Sequence, residues 1–206
     1  MSSSNLQADI DRFWNWFQES EHLFKEVTDP QAVVEAMDEH VLAFGLFSWE
    51  IGEGNSRPHY FMISPNGDGR RMEISYKIMK SAPDLRDWEF RYCKPPKDWD
   101  FQLEVYNRFL VKQLVDVSKW TYVIHKTPDN MIEVVIRSLN MIDIDTEDQL
   151  NAAEAALINI LGEELVIDNL GALEVVEEFS IQDDVSSHHM RTLKSSFEKL
   201  VFSVLQ

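Results

Sequence analysis

Two glutamates occupy positions that the apolar pattern of this chain marks as buried. Glu177 alternates in step with the apolar residues of a predicted strand, and Glu154 borders the apolar stripe of a predicted helix. A buried carboxylate is costly unless paired, and pairing or desolvation shifts its pKa in ways that catalysis can use. The two could therefore form an acid/base or metal-binding pair. A bulge that turns Glu177 outward, or an ion pair with Arg137, accounts for the same pattern without catalysis.

Other acidic and histidine motifs do not match an established metal site. The segment 143–148 spaces three aspartates like a calcium loop, but it lacks the glycine that the sharp turn of such a loop requires. The two histidines and two aspartates of 183–189 have the spacing of no known ligand set. The chain also lacks a Gly-x-Ser-x-Gly elbow, a His-Glu-x-x-His motif and a dinucleotide fingerprint. We therefore expect no metal ion and no cofactor, and the sequence favours a non-enzymatic protein without deciding the question.

Basic residues concentrate in the segment 70–97. It holds eight Lys and Arg against four acidic residues, a net of +4, whereas the whole chain carries −17. The turn 67–71 precedes a predicted helix and could present backbone amides and guanidinium groups to a phosphate or carboxylate, although an ordinary turn has the same composition. We expect the binding residues to come from this segment; they are Arg70, Arg71, Arg91, Lys94 and Lys97.

Acidic residues dominate the segment 138–190, which has thirteen Asp and Glu and no Lys or Arg. Affinity for phosphate backbones rests on clustered cations, so a net charge of −17 and a pI near 4.6 argue against nucleic acid as a ligand. The segregation of charge suits docking of an acidic protein on 70–97, or docking of this segment from a second copy of the chain.

The first residues, the apolar stretches and the cysteine content indicate the cellular compartment of the protein. Residues 1–5 lack a basic stretch followed by an apolar run, and no stretch reaches the length of uncharged apolar residues that a membrane span requires. Cys93 is the only cysteine, which excludes an intrachain disulfide. We expect a cytoplasmic protein with no membrane partner.

The periodicities predict a single α+β domain over 1–206, with four to five helices packed around a mainly antiparallel twisted sheet. A helical pair occupies 5–45, a sheet-containing body occupies 46–181, and a helix occupies 190–205. Glu21 falls on the apolar stripe of the first helix, so we expect a break or kink near Ser20. Residues 146–149 form a capping-box pattern at the start of a third long helix.

Several short motifs resemble an uncharacterised family of bacterial cytosolic α+β proteins. The chain has Trp-Glu-Ile-Gly at 49–52, Ile-Ser-Pro-Asn-Gly at 63–67, Ala-Pro-Asp-Leu-Arg-Asp-Trp at 82–88 and Lys-Pro-Pro at 94–96. The corresponding family motifs are FE(I/F)G, ISAxG, AAPxLxxW and KPP. The resemblance implies the α+β fold class and carries no activity, because the family has no assigned function.

Three functional hypotheses remain open on these observations. The leading one is a non-catalytic protein that binds a protein partner or associates with itself, since charge is segregated and no catalytic set converges. The second is a small hydrolase or metal-dependent enzyme that uses Glu154 and Glu177. The third is an immunity or inhibitor protein whose acidic face mimics nucleic acid.

Overall fold

The computed structural model describes residues 3–25, 30–107, 109–180, 183 and 186–202. The chain divides into two compact units, an N-terminal unit of residues 1–94 and a C-terminal unit of residues 95–206. Six α-helices and nine strands in three small sheets are described, which confirms the predicted α+β class. That 1–206 forms one continuous domain stays a prediction. No helix in the described part of the chain is both long and apolar enough to cross a membrane.

The N-terminal unit packs three helices on a three-stranded sheet. The strands run in the order β1-β2-β3, with β1 antiparallel and β3 parallel to β2. Its core is aromatic: Phe17 is fully buried and contacts both Phe61 and Trp88, with ring centroids 5.2 and 5.1 Å away. The elements are α1 (Ser3–Lys25), α2 (Pro30–Leu42), β1 (Ser48–Glu53), β2 (His59–Ser64), α3 (Gly69–Lys80) and β3 (Trp88–Arg91).

Helix α1 continues to Lys25 without the break that was an alternative near Ser20, and a kink there stays a prediction. Glu21 can face the core since its carboxylate accepts a hydrogen bond from the Trp88 indole nitrogen at 3.0 Å. The Lys25 ammonium lies 2.6 Å from carboxylate oxygens of both Glu21 and Asp87. This contact with Lys25 lowers the pKa of Asp87, and Asp87 and Glu21 raise the pKa of Lys25. Glu21 therefore has a structural role on the apolar stripe of α1, because an ammonium group balances its charge and hydrogen bonds satisfy its carboxylate oxygens.

Glu89, on β3, closes the loop between β1 and β2. Its carboxylate accepts hydrogen bonds from the backbone nitrogens of Ser56 and Arg57, and from the Arg91 guanidinium at 2.9 Å. The bonds from Ser56, Arg57 and Arg91, in that order of importance, lower the pKa of Glu89 from 4.5 to about 2. Only glycine fits at Gly54, because a Cβ there would overlap the Arg57 carbonyl and the Glu89 carboxylate. The loop is thus held from a neighbouring strand by one ionised side chain.

The C-terminal unit contains a two-stranded hairpin and a four-stranded sheet of order β8-β7-β6-β9. β6 and β7 form the antiparallel hairpin that the sequence predicts, and α4 and α5 cross over to place β8 parallel to β7. The elements are β4 (Gln102–Tyr106), β5 (Lys112–Asp116), β6 (Thr121–Lys126), β7 (Ile132–Arg137), α4 (Thr146–Leu161), α5 (Glu163–Asn169), β8 (Leu170–Val176), β9 (His188–His189) and α6 (Leu193–Phe202).

Two local expectations for this unit are wrong. The capping box at 146–149 does not form: Asp145 is the N-cap residue, and the Gln149 amide donates instead to the carbonyls of Met141 and Ile144 at 2.9 and 2.8 Å. The hairpin of β4 and β5 was not predicted: residues 102–105 alternate polar and apolar, but the adjacent Leu114 and Val115 break the alternation in 112–116. The sheets are mainly antiparallel, as expected, but there are three of them and each larger one has a parallel pair.

Replacing Glu89 with Gln should destabilise the protein at neutral pH. The ionised carboxylate stabilises the fold because its folded pKa lies below 4.5, so this contribution is present above about pH 4.5 and is lost as the pH falls towards 2. Urea unfolding at several pH values should show the wild type more stable at pH 7 and the two proteins converging near pH 2.5. Glu53→Gln, at an exposed position of β1, is the control and should track the wild type. An equal difference between Glu89→Gln and wild type at both pH values would contradict the role of the charge.

Candidate interaction surface

The two predicted catalytic glutamates are not buried. Glu154 is exposed on α4, whose buried face is formed largely by alanines. Glu177 is exposed because β8 ends at Val176, opposite the last residue of β7, Arg137. The burial on which the catalytic hypothesis rested is therefore not found, and a catalytic role of Glu154 and Glu177 stays a prediction. The side chain of Glu163, the first residue of α5, is fully buried. The apolar periodicity of the sequence did not predict this burial.

The predicted binding residues are divided between the two units, with Lys97 in the C-terminal unit and the other four in the N-terminal unit. The Arg91 guanidinium lies 4.1 Å from the centroid of the Tyr60 ring and pairs with Glu89. Arg71 donates to the Asn66 carbonyl at 3.3 Å. These contacts engage part of the set within the fold, and a joint role of Arg70, Arg71, Arg91, Lys94 and Lys97 in binding stays a prediction.

Members of the acidic and histidine motifs make ordinary structural contacts in the described part of the chain. Asp145 precedes α4 as its N-cap, and the His125 ring lies 3.4 Å from the Asp183 carboxylate. Asp184 lies outside the described residues. No group of three or more His, Cys, Asp or Glu able to hold a metal ion occurs within the described ranges.

The hairpin of β4 and β5 carries the most prominent exposed apolar group of the C-terminal unit. We call it the hairpin patch. Apolar side chains that a monomer leaves in water are normal singly, but a contiguous group marks an interaction site. Its members, with their exposed fractions, are Tyr106 (57%), Phe109 (68%), Leu110 (84%), Val111 (56%) and Leu114 (66%).

The tip of the hairpin is built around Asn107. The Asn107 side-chain oxygen accepts hydrogen bonds from the backbone nitrogens of Phe109 and Val111, both at 3.0 Å. The backbone carbonyl of Asn107 accepts a hydrogen bond from the backbone nitrogen of Leu110 at 2.8 Å. These bonds hold Leu110 in the left-handed region, with φ of 58°. That conformation costs a branched L-residue roughly 1–2 kcal/mol, and the side chain it presents is 84% exposed. The backbone conformation of Leu110 and the exposure of its apolar side chain to water are thus both unfavourable for the folded monomer. This combination points to a role of Leu110 in contact with another molecule.

One edge of the hairpin is open. The bonds from Asn107 N to the Val111 carbonyl (3.0 Å) and from Val117 N to the Phe101 carbonyl (2.8 Å) fix the alternation of the β4–β5 ladder. Because bonded pairs recur at every second residue, Gln113 and Val115 bond to β4 as well. The backbone groups of Lys112, Leu114 and Asp116 therefore point away from β4. The backbone N–H and C=O of Lys112 and Leu114 have no hydrogen-bond partner among the described residues. Such an edge is a template for another strand.

Further exposed apolar side chains flank the far end of this edge. The Asp116 carbonyl accepts a hydrogen bond from the Asn140 side chain at 3.1 Å. The neighbours of Asn140 in sequence include Leu139 and Ile142, which are 65% and 70% exposed. Strand β5 therefore has exposed apolar residues at both ends, the tip 109–111 beyond Lys112 and this pair beside Asp116.

The open edge also carries two opposite charges on one face. Lys112, Leu114 and Asp116 alternate with Gln113 and Val115, so the first three share a face of the hairpin. A hydrogen bond to Glu104, at 2.6 Å, raises the pKa of Lys112. The Ser118 hydroxyl bonded to Asp116 lowers the pKa of that carboxyl. Both groups are therefore charged at neutral pH.

Comparison with known proteins adds no relative to this picture: no protein-family model, no curated protein and no solved structure matches the chain. The resemblance to the bacterial α+β family stays a prediction.

Replacing Leu110 with Asn should leave the free energy of unfolding unchanged or raise it by up to about 1 kcal/mol, because Asn tolerates the left-handed region and an exposed leucine has little to lose. Urea unfolding measures this. Val115→Ala is the control, since Val115 is buried in the same hairpin, and it should cost about 2 kcal/mol. A loss above 1 kcal/mol for Leu110→Asn would show that the side chain supports the monomer and that the patch is not an open surface.

Proposed function

We propose that this protein is a non-catalytic interaction protein that associates with itself through the open edge of β5. The observation that carries the proposal is the self-complementary edge: outward backbone groups at Lys112 and Leu114, with a cation at one end of the strand and an anion at the other. Main-chain pairing at a sheet edge supplies affinity, and alternate side chains supply specificity.

An antiparallel pair of β5 strands has a preferred register. With Leu114 on the two-fold axis, its N–H donates to the C=O of Leu114 of the second copy, and its C=O accepts from the N–H of that residue. Lys112 then lies opposite Asp116 of the second copy, and the reverse pair is made at the other end. Opposite charges across a strand pair stabilise it and like charges destabilise it, so a register that sets Lys112 against Lys112 of the second copy is disfavoured. A two-fold interface of this kind is closed and gives a dimer rather than a fibre.

The same register brings the exposed apolar groups together. Residues 109–111 of the second copy extend past Asp116, towards the segment that carries Leu139 and Ile142 and is attached to Asp116 through Asn140. Each such side chain contributes roughly 1.5–3 kcal/mol when fully buried, against an association cost of about 4–15 kcal/mol. Partial burial of the apolar residues from both copies is enough to offset that cost.

The other hypotheses find less support in the geometry. Catalysis by Glu154 and Glu177 rested on a buried pair, and both side chains are exposed. Docking of an acidic surface on segment 70–97 stays a prediction, as does the inhibitor hypothesis. The charge asymmetry between 70–97 and 138–190 would add a short-range attraction where the two segments meet, against the repulsion between two copies that each carry a net charge of −17.

Sedimentation velocity over a range of protein concentrations tests the proposal. The wild type should show a monomer–dimer equilibrium at low ionic strength, and Leu114→Lys should be monomeric, because it places two ammonium groups next to the axis and removes the central apolar contact. Leu46→Lys is the matched control: Leu46 is 73% exposed and lies in the N-terminal unit, so this variant should dimerise like the wild type. Salt screens the Lys112–Asp116 pairs and also the repulsion between two copies of net charge −17, so the equilibrium is measured at both low and high ionic strength.

Two results would contradict self-association through β5. One is a strictly monomeric wild type at both low and high ionic strength. The other is a dimer that Leu46→Lys weakens as much as Leu114→Lys does, which would place the interface elsewhere. At protein concentrations where the wild type is monomeric, the unfolding curves of both variants should match it, because each substituted side chain is exposed in the monomer.

A further inference from the structure

A second surface of the C-terminal unit has the composition of a small-molecule site. It is a cavity of about 390 Å³, within the range of volumes usual for small-ligand pockets. We call it the cationic cleft. The residues of its lining that matter here are Lys97, Trp99, Phe101, Ile160, Arg191 and Lys194.

The charge of the cleft is opposite to that of the unit that contains it. Residues 95–206 hold nine Lys and Arg against twenty Asp and Glu, a net of −11. The cleft is lined by three cations and one carboxylate, that of Asp98. The three cations repel one another, and an anionic ligand bound between them would offset that repulsion.

The three cations of the cleft are not paired with a carboxylate in the described part of the chain, and Arg191 contacts the Phe101 ring of the cleft wall itself. Four other described Lys and Arg of this unit are engaged within the fold, by Glu104, Asp116, the Leu200 carbonyl and the Phe179 ring; they are Lys112, Lys119, Lys126 and Arg137. Lys97, Arg191 and Lys194 form no ion pair with any carboxylate in the described part of the chain.

The aromatic wall of the cleft is ordered in advance of any ligand. The rings of Trp99 and Phe101 stack with centroids 5.1 Å apart and planes at 19°, and the Arg191 guanidinium lies 4.6 Å from the Phe101 ring centroid. Phe101 has φ of 64°, a strained value for a residue other than glycine. The bond from Val117 N to its carbonyl, at 2.8 Å, holds it there. Strain kept at a cavity wall is typical of binding sites, where it fixes a side chain in position.

We infer that the cationic cleft binds a small phosphate monoester that carries a flat ring. A phosphate monoester is close to a dianion at neutral pH, and guanidinium and ammonium groups are the side chains that bind it best. The volume equals that of about thirteen water molecules, so phosphate alone would leave most of the cavity to water. The aromatic and aliphatic walls formed by Trp99, Phe101 and Ile160 favour a flat apolar group in that space. A polynucleotide is disfavoured, because it would meet the net negative surface around the cleft.

Isothermal titration calorimetry with AMP as the probe tests this inference. AMP should bind the wild type at one site per chain, and adenosine and inorganic phosphate should each bind at least tenfold more weakly. Arg191→Ala and Lys194→Ala should each weaken AMP at least tenfold. Lys199→Ala is the matched control, because Lys199 is exposed on the same helix, α6, but outside the cleft, and it should change the affinity less than twofold.

Several outcomes would overturn the inference. They are no measurable AMP binding, adenosine or phosphate binding as tightly as AMP, and an equal loss of affinity in Lys194→Ala and Lys199→Ala. The substituted side chains are exposed, so the variants should fold, and far-ultraviolet circular dichroism checks this. The inference is independent of self-association: Leu114→Lys should bind AMP with the affinity of the wild type.

Discussion

The alternation of backbone hydrogen bonds along the β4–β5 hairpin positions the exposed features of the C-terminal unit on which both proposals rest. The pair Phe101–Val117 opens this ladder and the pair Asn107–Val111 closes it. Because bonded pairs recur every second residue, Lys112 and Leu114 are left with unpaired outward groups. The same ladder holds two strained residues, Phe101 at its base and Leu110 at its tip. Phe101 lines the cationic cleft and Leu110 belongs to the hairpin patch, so one short hairpin positions both surfaces.

Strained backbone is informative here because of which residues adopt it. Four residues other than glycine have positive φ in the described chain, and two of them are asparagines, Asn66 and Asn130. Asparagine tolerates that region, so these two are ordinary turn residues. Phe101 and Leu110 gain no such tolerance from their side chains. Their conformations are imposed by neighbouring hydrogen bonds, and each presents a large apolar side chain at a surface.

In the N-terminal unit, ionised groups that could be taken for functional residues act as structural contacts. Glu21 lies on the apolar side of α1 because the Trp88 indole and the Lys25 ammonium satisfy it. Glu89 holds the β1–β2 loop through backbone nitrogens, and Arg91 is bonded to it in turn. The donors around Glu89 lower the pKa of its carboxyl for structural reasons, without a part in catalysis. This is why charge and burial patterns alone did not separate site residues from the scaffold.

The sequence by itself determined the α+β class, the hairpin of β6 and β7, and the approximate positions of α2, α3 and α4, because these rest on local periodicity and on turn residues. It also determined the net charge and its segregation. Only the tertiary structure decided that α1 continues past Ser20, since the partner of Glu21 comes from residue 88. It likewise decided that Glu177 falls outside β8, since a strand ends where its neighbour ends. The open edge of β5 and the grouping of Lys97 with Arg191 and Lys194 depend on contacts between residues far apart in the chain, and periodicity carries no information about such contacts.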